Sequence, residues 1–398
     1  MLYDWTPTRE AGLARLADFL PRAGRHYANG RNVDPGPGAP DAVSRLSPWI
    51  RRRLITEEEV IRAASAHHGA AAEKFIQEVF WRTYWKGWLE QRPEMWVRYR
   101  ADVASASAHS AADPDLAAAL ARAQAGQTGI DCFDDWARTL LATGWLHNHA
   151  RMWFASIWIF TLRLPWALGA DFFFRHLVDA DAASNTLSWR WVGGLQTRGK
   201  HYVARASNIH QNTNGRYNPA GLLDEAPAPL ADDGPFPAPQ FPHLDEKPSQ
   251  PRVCLLITED DLHPESLPIG ADVVAAALLA PDLAGRGQSA RHFSQGACED
   301  AARRASRHFG VTVETLPAED LPAFATAAGV REMVTAHVPV GPGADAMASV
   351  IPELSAVGIQ MVRLARRYDL RAWPHATRGF FPFKEKIPAL LAAMHADR

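Results

Sequence analysis

Cysteine is nearly absent: the 398 residues contain only Cys132, Cys254 and Cys298. They lie far apart with no Cys-x-x-Cys pair, which excludes a disulfide-stapled scaffold and a zinc ribbon and fits a reducing, cytoplasmic setting. Long apolar runs are missing as well. The nearest approach to one, Met152 to Leu162, is closed by Arg163 and Pro165, so no membrane-spanning helix is expected. With Asp4, Arg9 and Glu10 near the start, neither is a secretory leader. Net charge is small, with Lys+Arg 42 against Asp+Glu 44. That balance hides an asymmetry: residues 1–220 carry 26 basic against 21 acidic residues, and residues 221–398 carry 16 against 23. The first part is +5 and the second −7, so an anionic partner would meet the first.

What the sequence has in abundance is tryptophan. Of fourteen, thirteen precede residue 192 and only Trp373 follows, which implies two differently built parts. Between Pro219 and Pro251 stand nine prolines in thirty-three residues with no apolar periodicity, the composition of an extended linker. The expected division is therefore a domain over residues 1–220, a Pro-rich linker over 221–251 and a second domain over 252–398.

Before the linker, helical signals dominate. Thr56-Glu57-Glu58-Glu59 is a capping box, and Ala71 to Leu89 places Phe75, Val79, Phe80, Trp85 and Trp88 at helical spacings. Leu116 to Gln124, Cys132 to Ala142, His147 to Leu162 and Asp171 to Ala180 continue the pattern. After the linker, β-rich runs at Val253 to Thr258, Val311 to Leu316, Glu332 to Val338 and Ile359 to Arg363 alternate with helices at Gly296 to Phe309 and Ala344 to Val357. The fold class expected is multi-domain α and α/β: an all-helical N-terminal domain, then a parallel, Rossmann-like α/β domain.

Three segments carry polar chemistry. Ser47-Pro48, after Ser44-Arg45-Leu46, reads as an N-cap with proline at the first helical position, a start that holds phosphate or simply caps a helix. In the segment Asp179 to Trp191, a helix from Asp181 would align Asp181, Asn185 and Trp189 on one face. That face suits a flat hydrogen-bonding heterocycle or an ordinary core tryptophan. In Gly144-Trp145-Leu146-His147-Asn148-His149-Ala150-Arg151-Met152, the histidines two apart diverge on a helix and predict no metal pair. Arg151 is placed to pair with Asp179 or a phosphate.

Taken in order, Ser44-Arg45-Leu46-Ser47, Glu78-Val79-Phe80-Trp81-Arg82, Thr143 to Met152, and Asp179 to Asn185 with Trp189 and Trp191 resemble the FAD-binding domain of the photolyase and cryptochrome family over roughly residues 1–220. The resemblance implies a U-shaped FAD in a helical bundle and a hole admitting a pyrimidine dimer flipped out of damaged DNA. By position, Tyr27, Ser44, Arg45, Leu46 and Ser47 would surround the diphosphate. Phe75, Arg82, Asn148 and Arg151 would line the cofactor, Asp179 and Asp181 would meet the ribityl and isoalloxazine edges, and Asn185 would lie beside flavin N5. Glu78, Trp81, Asn148, Met152 and Trp191 would form the catalytic set, Glu78 hydrogen-bonding the dimer and the two indoles clamping its bases. Trp189 and Trp166 match the proximal and middle members of the family's electron-transfer chain.

The outer position of that chain holds Asp113, with Trp136, Trp153 and Trp158 as other routes or plain core residues. The segment Val192 to Asn208 departs from the family's loop. The α/β domain, whose Thr258-to-Pro264 loop and Trp373-to-Lys384 ending resemble the family's antenna domain, follows the FAD domain where the family places it first. A circular permutation is expected, with any antenna chromophore left open. Two functions follow: a light-driven photolyase, or a blue-light photoreceptor without repair. Arg51, Arg52 and Arg53 with Arg198, Lys200, Arg205 and Arg216 would supply the DNA-facing charge, or the Arg triplet would be a solvated helix face. A monomer is expected, with no membrane or metal partner.

Overall fold

A computed structural model describes residues 5–36, 38–231, 233–242 and 247–396. The helical part comprises α1 (Arg9–Phe19), α2 (Arg25–Gly30), α3 (Ser47–Arg51), α4 (Glu57–His68), α5 (Glu73–Glu90), α6 (Glu94–Ala112), α7 (Pro114–Ala125), α8 (Asp131–Thr143), α9 (Asn148–Ser156), α10 (Trp166–His176), α11 (Ala182–Gly193) and α12 (Ala206–Asn212). The expected capping box opens α4: the Thr56 hydroxyl accepts from the Glu59 amide at 3.2 Å, and the Glu59 carboxylate accepts from the Thr56 amide at 2.8 Å. Two local expectations are corrected. Ser47 is the first helical residue of α3 and makes no capping bond; instead the Ser44 hydroxyl accepts from the Leu46 amide at 3.3 Å. The helix expected to run to Ala180 stops at His176. Asp181 is the extended N-cap of α11, its carboxylate accepting from the Ser184 amide at 2.7 Å, so the chain must leave one helix to cap the next.

The C-terminal part is built on five parallel strands, β1 (Arg252–Ile257), β2 (Asp272–Leu279), β3 (Val313–Leu316), β4 (Glu332–Ala336) and β5 (Gln360–Leu364), in the order β3-β2-β1-β4-β5. The sequence pattern does not reveal β2, because Val-Val-Ala-Ala-Ala-Leu-Leu is rich in a helix former; pairing on both sides with β1 and β3 overrides that propensity. Helices α13 (Gln288–Phe309), α14 (Leu321–Ala327) and α15 (Pro342–Ala356) cover the sheet, and α16 (Arg367–Ala372), α17 (Phe380–Lys384) and α18 (Ile387–Ala396) follow it. Side chains alternate along the strands. Val253, Leu255 and Ile257 join the large core shared with the helical part, while Cys254 and Leu256 join a second core with Val350 and Leu354 of α15.

Between Asn212 and Arg252 the described residues form no helix or strand, as the prolines dictate, yet the segment is packed against the helices. Arg190 makes a two-bond pair with Asp233 at 2.6 and 3.1 Å. Phe236 meets Trp88 edge-on at 5.2 Å, and the Gln240 amide donates to the Gln91 carbonyl at 2.8 Å.

The two parts are joined by buried charge. Arg51, Arg52 and Arg53 end α3 and enter the loop after β1. Arg51 pairs with Asp260 at 2.9 Å, Arg52 with Glu259 at 2.9 Å, and Arg53 with Asp369 at 2.7 Å and Asp261 at 3.5 Å. Arg366 grips Asp261 through two bonds of 2.6 Å, and Arg286 adds a second cation on Glu259 at 2.9 Å. All three arginines of the triplet are buried. This corrects both expectations for it: the triplet is neither a DNA-facing patch nor a solvated helix face, because the acidic loop of the other part neutralises it. Apolar contacts flank the charges. Trp49 meets Phe293 edge-on at 5.4 Å, and Trp373, the single tryptophan of the second part, packs so closely on α5 that a Cβ at Gly87 would lie 2.7 Å from its ring.

Burial raises the Asp261 pKa, but Arg366 and Arg53 outweigh it and hold the carboxyl at about 2. A folded pKa below the unfolded value of about 3.9 means the stabilisation is present above pH ~4 and is lost as pH falls toward 2. Urea titrations across that range are expected to show the loss in the wild type and a shallower dependence in Asp261→Asn. At neutral pH, Arg53→Ala removes the cation paired with buried Asp369 and one of the two on Asp261, and is expected to cost about 3–5 kcal/mol.

Candidate FAD and lesion site

Helix α5 organises the candidate site. Phe75, Glu78 and Arg82, at i, i+3 and i+7, share one side of it, and Trp81 lies beside them. Phe75 is buried against Tyr27 of α2, ring centroids 5.2 Å apart, and against Phe19 at 4.8 Å. Arg82 reaches Asp181 at 3.1 Å and Glu57 at 3.6 Å. Burial opposes ionisation of Asp181, but Arg82, Lys86 and Arg51 outweigh it and hold the carboxyl far below the usual carboxylate range.

The expected Arg151–Asp179 pair forms at 3.0 Å, and Arg151 Nε also donates to the Leu146 carbonyl at 2.9 Å. Asp179 Oδ1, Ser184 Oγ and Thr186 Oγ1 are buried without a hydrogen-bond partner. Buried polar atoms are rarely left so, and the segment that holds them also carries Asp181 and Asn185. Asn185 donates through Nδ2 to the Ala170 carbonyl at 2.8 Å. FAD offers hydroxyl and N–H donors to acceptors of this kind, so the residues present fit it.

The other expected residues are more scattered. Arg45, at φ +54, lies over the Trp145 ring at 5.0 Å and pairs with Asp41. Asn148, exposed at the start of α9, contacts the Met152 sulfur at 3.9 Å. His147 packs against Trp145, and His149 stacks on Trp153 at 4.7 Å. Trp191 stacks on Tyr202 at 5.8 Å. Trp189 is buried with Phe173 at 5.1 Å and Trp158 at 6.2 Å, whereas Trp166 meets Tyr99 at 5.8 Å. Trp81 lies face to face with Phe380 of α17, centroids 3.6 Å apart and planes 11° from parallel. One face of the expected clamp is therefore already covered by the chain itself.

Glu78 is the residue whose chemistry is most distinctive. Burial raises its pKa, and Arg31 of the α2 C-terminus opposes the rise by pairing with one carboxylate oxygen. Arg31, like the buried Lys86 near Asp181, escapes a reading of the sequence. Its position four residues after Tyr27 gives helical adjacency, and only packing of α2 on α5 brings it to Glu78.

The double variant Arg151→Ala/Asp179→Ala is expected to purify without flavin absorbance while keeping the helical circular dichroism of the wild type. Retention of a stoichiometric flavin by that variant would show that the pair does not hold the cofactor.

Residues 75–221 match the family model described as the FAD binding domain of DNA photolyase. The chain is 35% identical over 189 residues to the deoxyribodipyrimidine photo-lyase of Streptomyces griseus, covering 47% of this chain and 39% of that one. With an enzyme of that name from Thermus thermophilus it shares 31% over 253 residues, 60% of this chain and 54% of the relative. The crystal structure of a bacterial class III photolyase from Agrobacterium tumefaciens aligns at TM-score 0.44 and 27% identity, over 53% of this chain and 43% of that one. The chain thus spans about half the length, or less, of the curated relatives it matches. Residues 75–221, which contain Glu78, Arg82, Arg151, Asp179, Asp181 and Asn185, thus match the FAD-binding domain of DNA photolyase, and over this part the chain is similar to the photolyase and cryptochrome family.

Proposed function

We propose that the protein is a light-driven photolyase that splits pyrimidine dimers in DNA. The observation that carries this reading is Glu78: a carboxyl whose pKa is raised by burial, one helical turn from Trp81 and on the helix that carries Arg82. Reduced FAD, when bound, supplies the electron that starts dimer splitting. The residues do the rest. Arg82 with Asp181 and Arg151 with Asp179 hold the cofactor's polar edges, and Asn185 lies beside the flavin ring. Glu78, paired with Arg31 in the structure, would on taking up a proton donate a hydrogen bond to the dimer, an interaction that strengthens as negative charge arises there. Met152 and Trp191 contact the dimer, and Trp81 offers the base whichever face Phe380 leaves open. Tyr27, Ser44, Leu46 and Ser47 surround the diphosphate, with Arg45 shared between it and Asp41.

This reading includes three further proposals. The chain divides into a FAD domain over residues 1–220, a connecting segment over 221–251 and an antenna-like domain over 252–398. The order of the two domains reflects a circular permutation. Damaged DNA is the partner, met by a monomer in the cytoplasm; among the described residues no helix is long and apolar enough to cross a membrane.

The photoreceptor reading is favoured by one specific observation. The Arg triplet is buried and Arg216, though exposed, is paired with Asp34 at 3.1 Å, so Arg198, Lys200 and Arg205 are the other exposed cations of the expected DNA-facing set. Phosphate contacts dominate DNA affinity, so a thin basic surface weakens it. A dimer-containing oligonucleotide illuminated with the reduced, FAD-loaded protein separates the two. Glu78→Ala is expected to lower the yield of dimer splitting by about 10²-fold or more, the loss for one transition-state hydrogen-bond donor, at unchanged FAD content. Wild type that neither binds nor splits the dimer at low salt would leave the photoreceptor reading in place.

A second measurement concerns the buried aromatic cluster around Trp189. Trp189→Phe is expected to abolish rapid light-driven reduction of the bound flavin with an added thiol donor, because Phe173 cannot replace an indole as the first donor. An unchanged rate would remove Trp189 from the electron path.

A further inference from the structure

The backbone between Trp373 and Phe380 is pinned by α5 and the turn that follows it, the helix that also carries Glu78 and Trp81. Gln91 donates to the Trp373 carbonyl at 2.6 Å, Arg92 to the Thr377 carbonyl at 2.7 Å, and the Tyr84 hydroxyl to the Arg378 carbonyl at 2.8 Å. Phe380 is buried between Trp81 at 3.6 Å and Tyr84 at 5.6 Å. The next ring is treated in the opposite way. Phe381 is 76% exposed, the most exposed large apolar side chain among the described residues. Its ring centroid lies 6.5 Å from that of Phe380, the planes 65° apart, so it neighbours the Trp81–Phe380 stack edge-on.

Intramolecular packing gives no reason for a phenylalanine to stand in water on a fixed backbone. Its surroundings carry the charge that the Arg triplet does not supply. Arg378 and Lys386 are exposed and Lys384 is half-buried, against Glu385 alone. At Gly379 a Cβ would meet nothing within 4 Å, so the outer side of the segment is open. An exposed aromatic on a held backbone, with cations on the same segment and its neighbour Phe380 stacked on a candidate base-binding tryptophan, matches the way single-stranded nucleic acid is bound. Rings stack on bases and cations follow the phosphates.

We infer that the segment Arg378 to Lys386 forms a lip of the DNA-binding surface. Phe381 stacks on a base of the lesion-bearing strand beside the gap left by the flipped dimer, and Arg378 and Lys386 meet the flanking phosphates. The inference rests on the repair reading above. It adds a contact supplied by the C-terminal part rather than by the FAD domain. Because the backbone is already fixed, the ring loses little freedom on binding.

Fluorescence anisotropy of the FAD-loaded full chain with a fluorescein-labelled single strand carrying one thymine dimer tests it. Phe381→Ala is expected to raise Kd about 5- to 100-fold, the loss of one base–ring stack, and Phe381→Trp to keep it within about threefold. Arg378→Ala is expected to reduce the salt slope of binding by about one. An unchanged Kd for Phe381→Ala, while Trp81→Ala weakens binding, would overturn the lip and leave the repair reading standing. Wild type that fails to bind at low salt would overturn both. Sedimentation velocity supplies the remaining outcome: self-association lost in Phe381→Ala, with DNA binding unaffected, would assign the ring to a second copy of the chain and overturn the lip.

Discussion

Three consecutive arginines driven into an acidic loop are the constraint around which the two parts of this protein are arranged. A buried guanidinium without a counter-charge is strongly destabilising, so Arg51, Arg52 and Arg53 require Glu259, Asp260, Asp261 and Asp369 to be present and correctly placed. The requirement is mutual. The acidic loop follows β1, at the point where the sheet order turns from β2 on one side to β4 on the other. In open α/β sheets that crevice commonly receives a ligand; here it receives the helical part. Glu90 of α5 fills the adjoining loop after β4, accepting from the Val340 amide and pairing with His337 at 2.7 Å. The opposite net charges of the two parts have a physical use in this contact.

The same arginines reach into the candidate site. Arg52 donates to the Val178 carbonyl at 2.6 Å and Arg51 to the Ala180 carbonyl at 2.7 Å. These carbonyls alternate with Asp179 and Asp181, whose side chains pair with Arg151 and Arg82. The interface therefore fixes the backbone of the segment that presents the site carboxylates. A change in how the two parts meet would be felt first at Asp179 and Asp181, through hydrogen bonds and without any intervening loop.

Helix α5 is the second link. Glu78 and Arg82 serve the candidate site, Trp81 bridges to Phe380, Gly87 admits Trp373, and Glu90 and Gln91 bond the C-terminal part. One rigid element thus sets the distance between the residues of the candidate site and the segment that covers Trp81. That covering changes the chemistry available to Trp81, since an indole stacked on a phenyl ring presents one face fewer to a base.

Much of this could be read in the sequence, and the rest had to wait for the fold. The change from helices to strands and the extended proline-rich connection follow from periodicity and from residues that cannot donate a backbone hydrogen bond, both local properties. The α4 capping box is likewise contained in four residues. The Arg151–Asp179 pair was legible because the motifs that hold both partners stand in a familiar order. By contrast, β2 was hidden because alanine-rich segments become strands only when neighbouring strands bury them. The fate of Arg51 to Arg53 was hidden because a run of arginines looks the same whether its partner is water, phosphate or a carboxylate some two hundred residues away. The sequence alone determined most of the elements, β2 excepted, and the chemical types at the site. Tertiary structure decided which charges are neutralised and which faces are covered, because those depend on pairs of residues that only packing brings within a few ångströms.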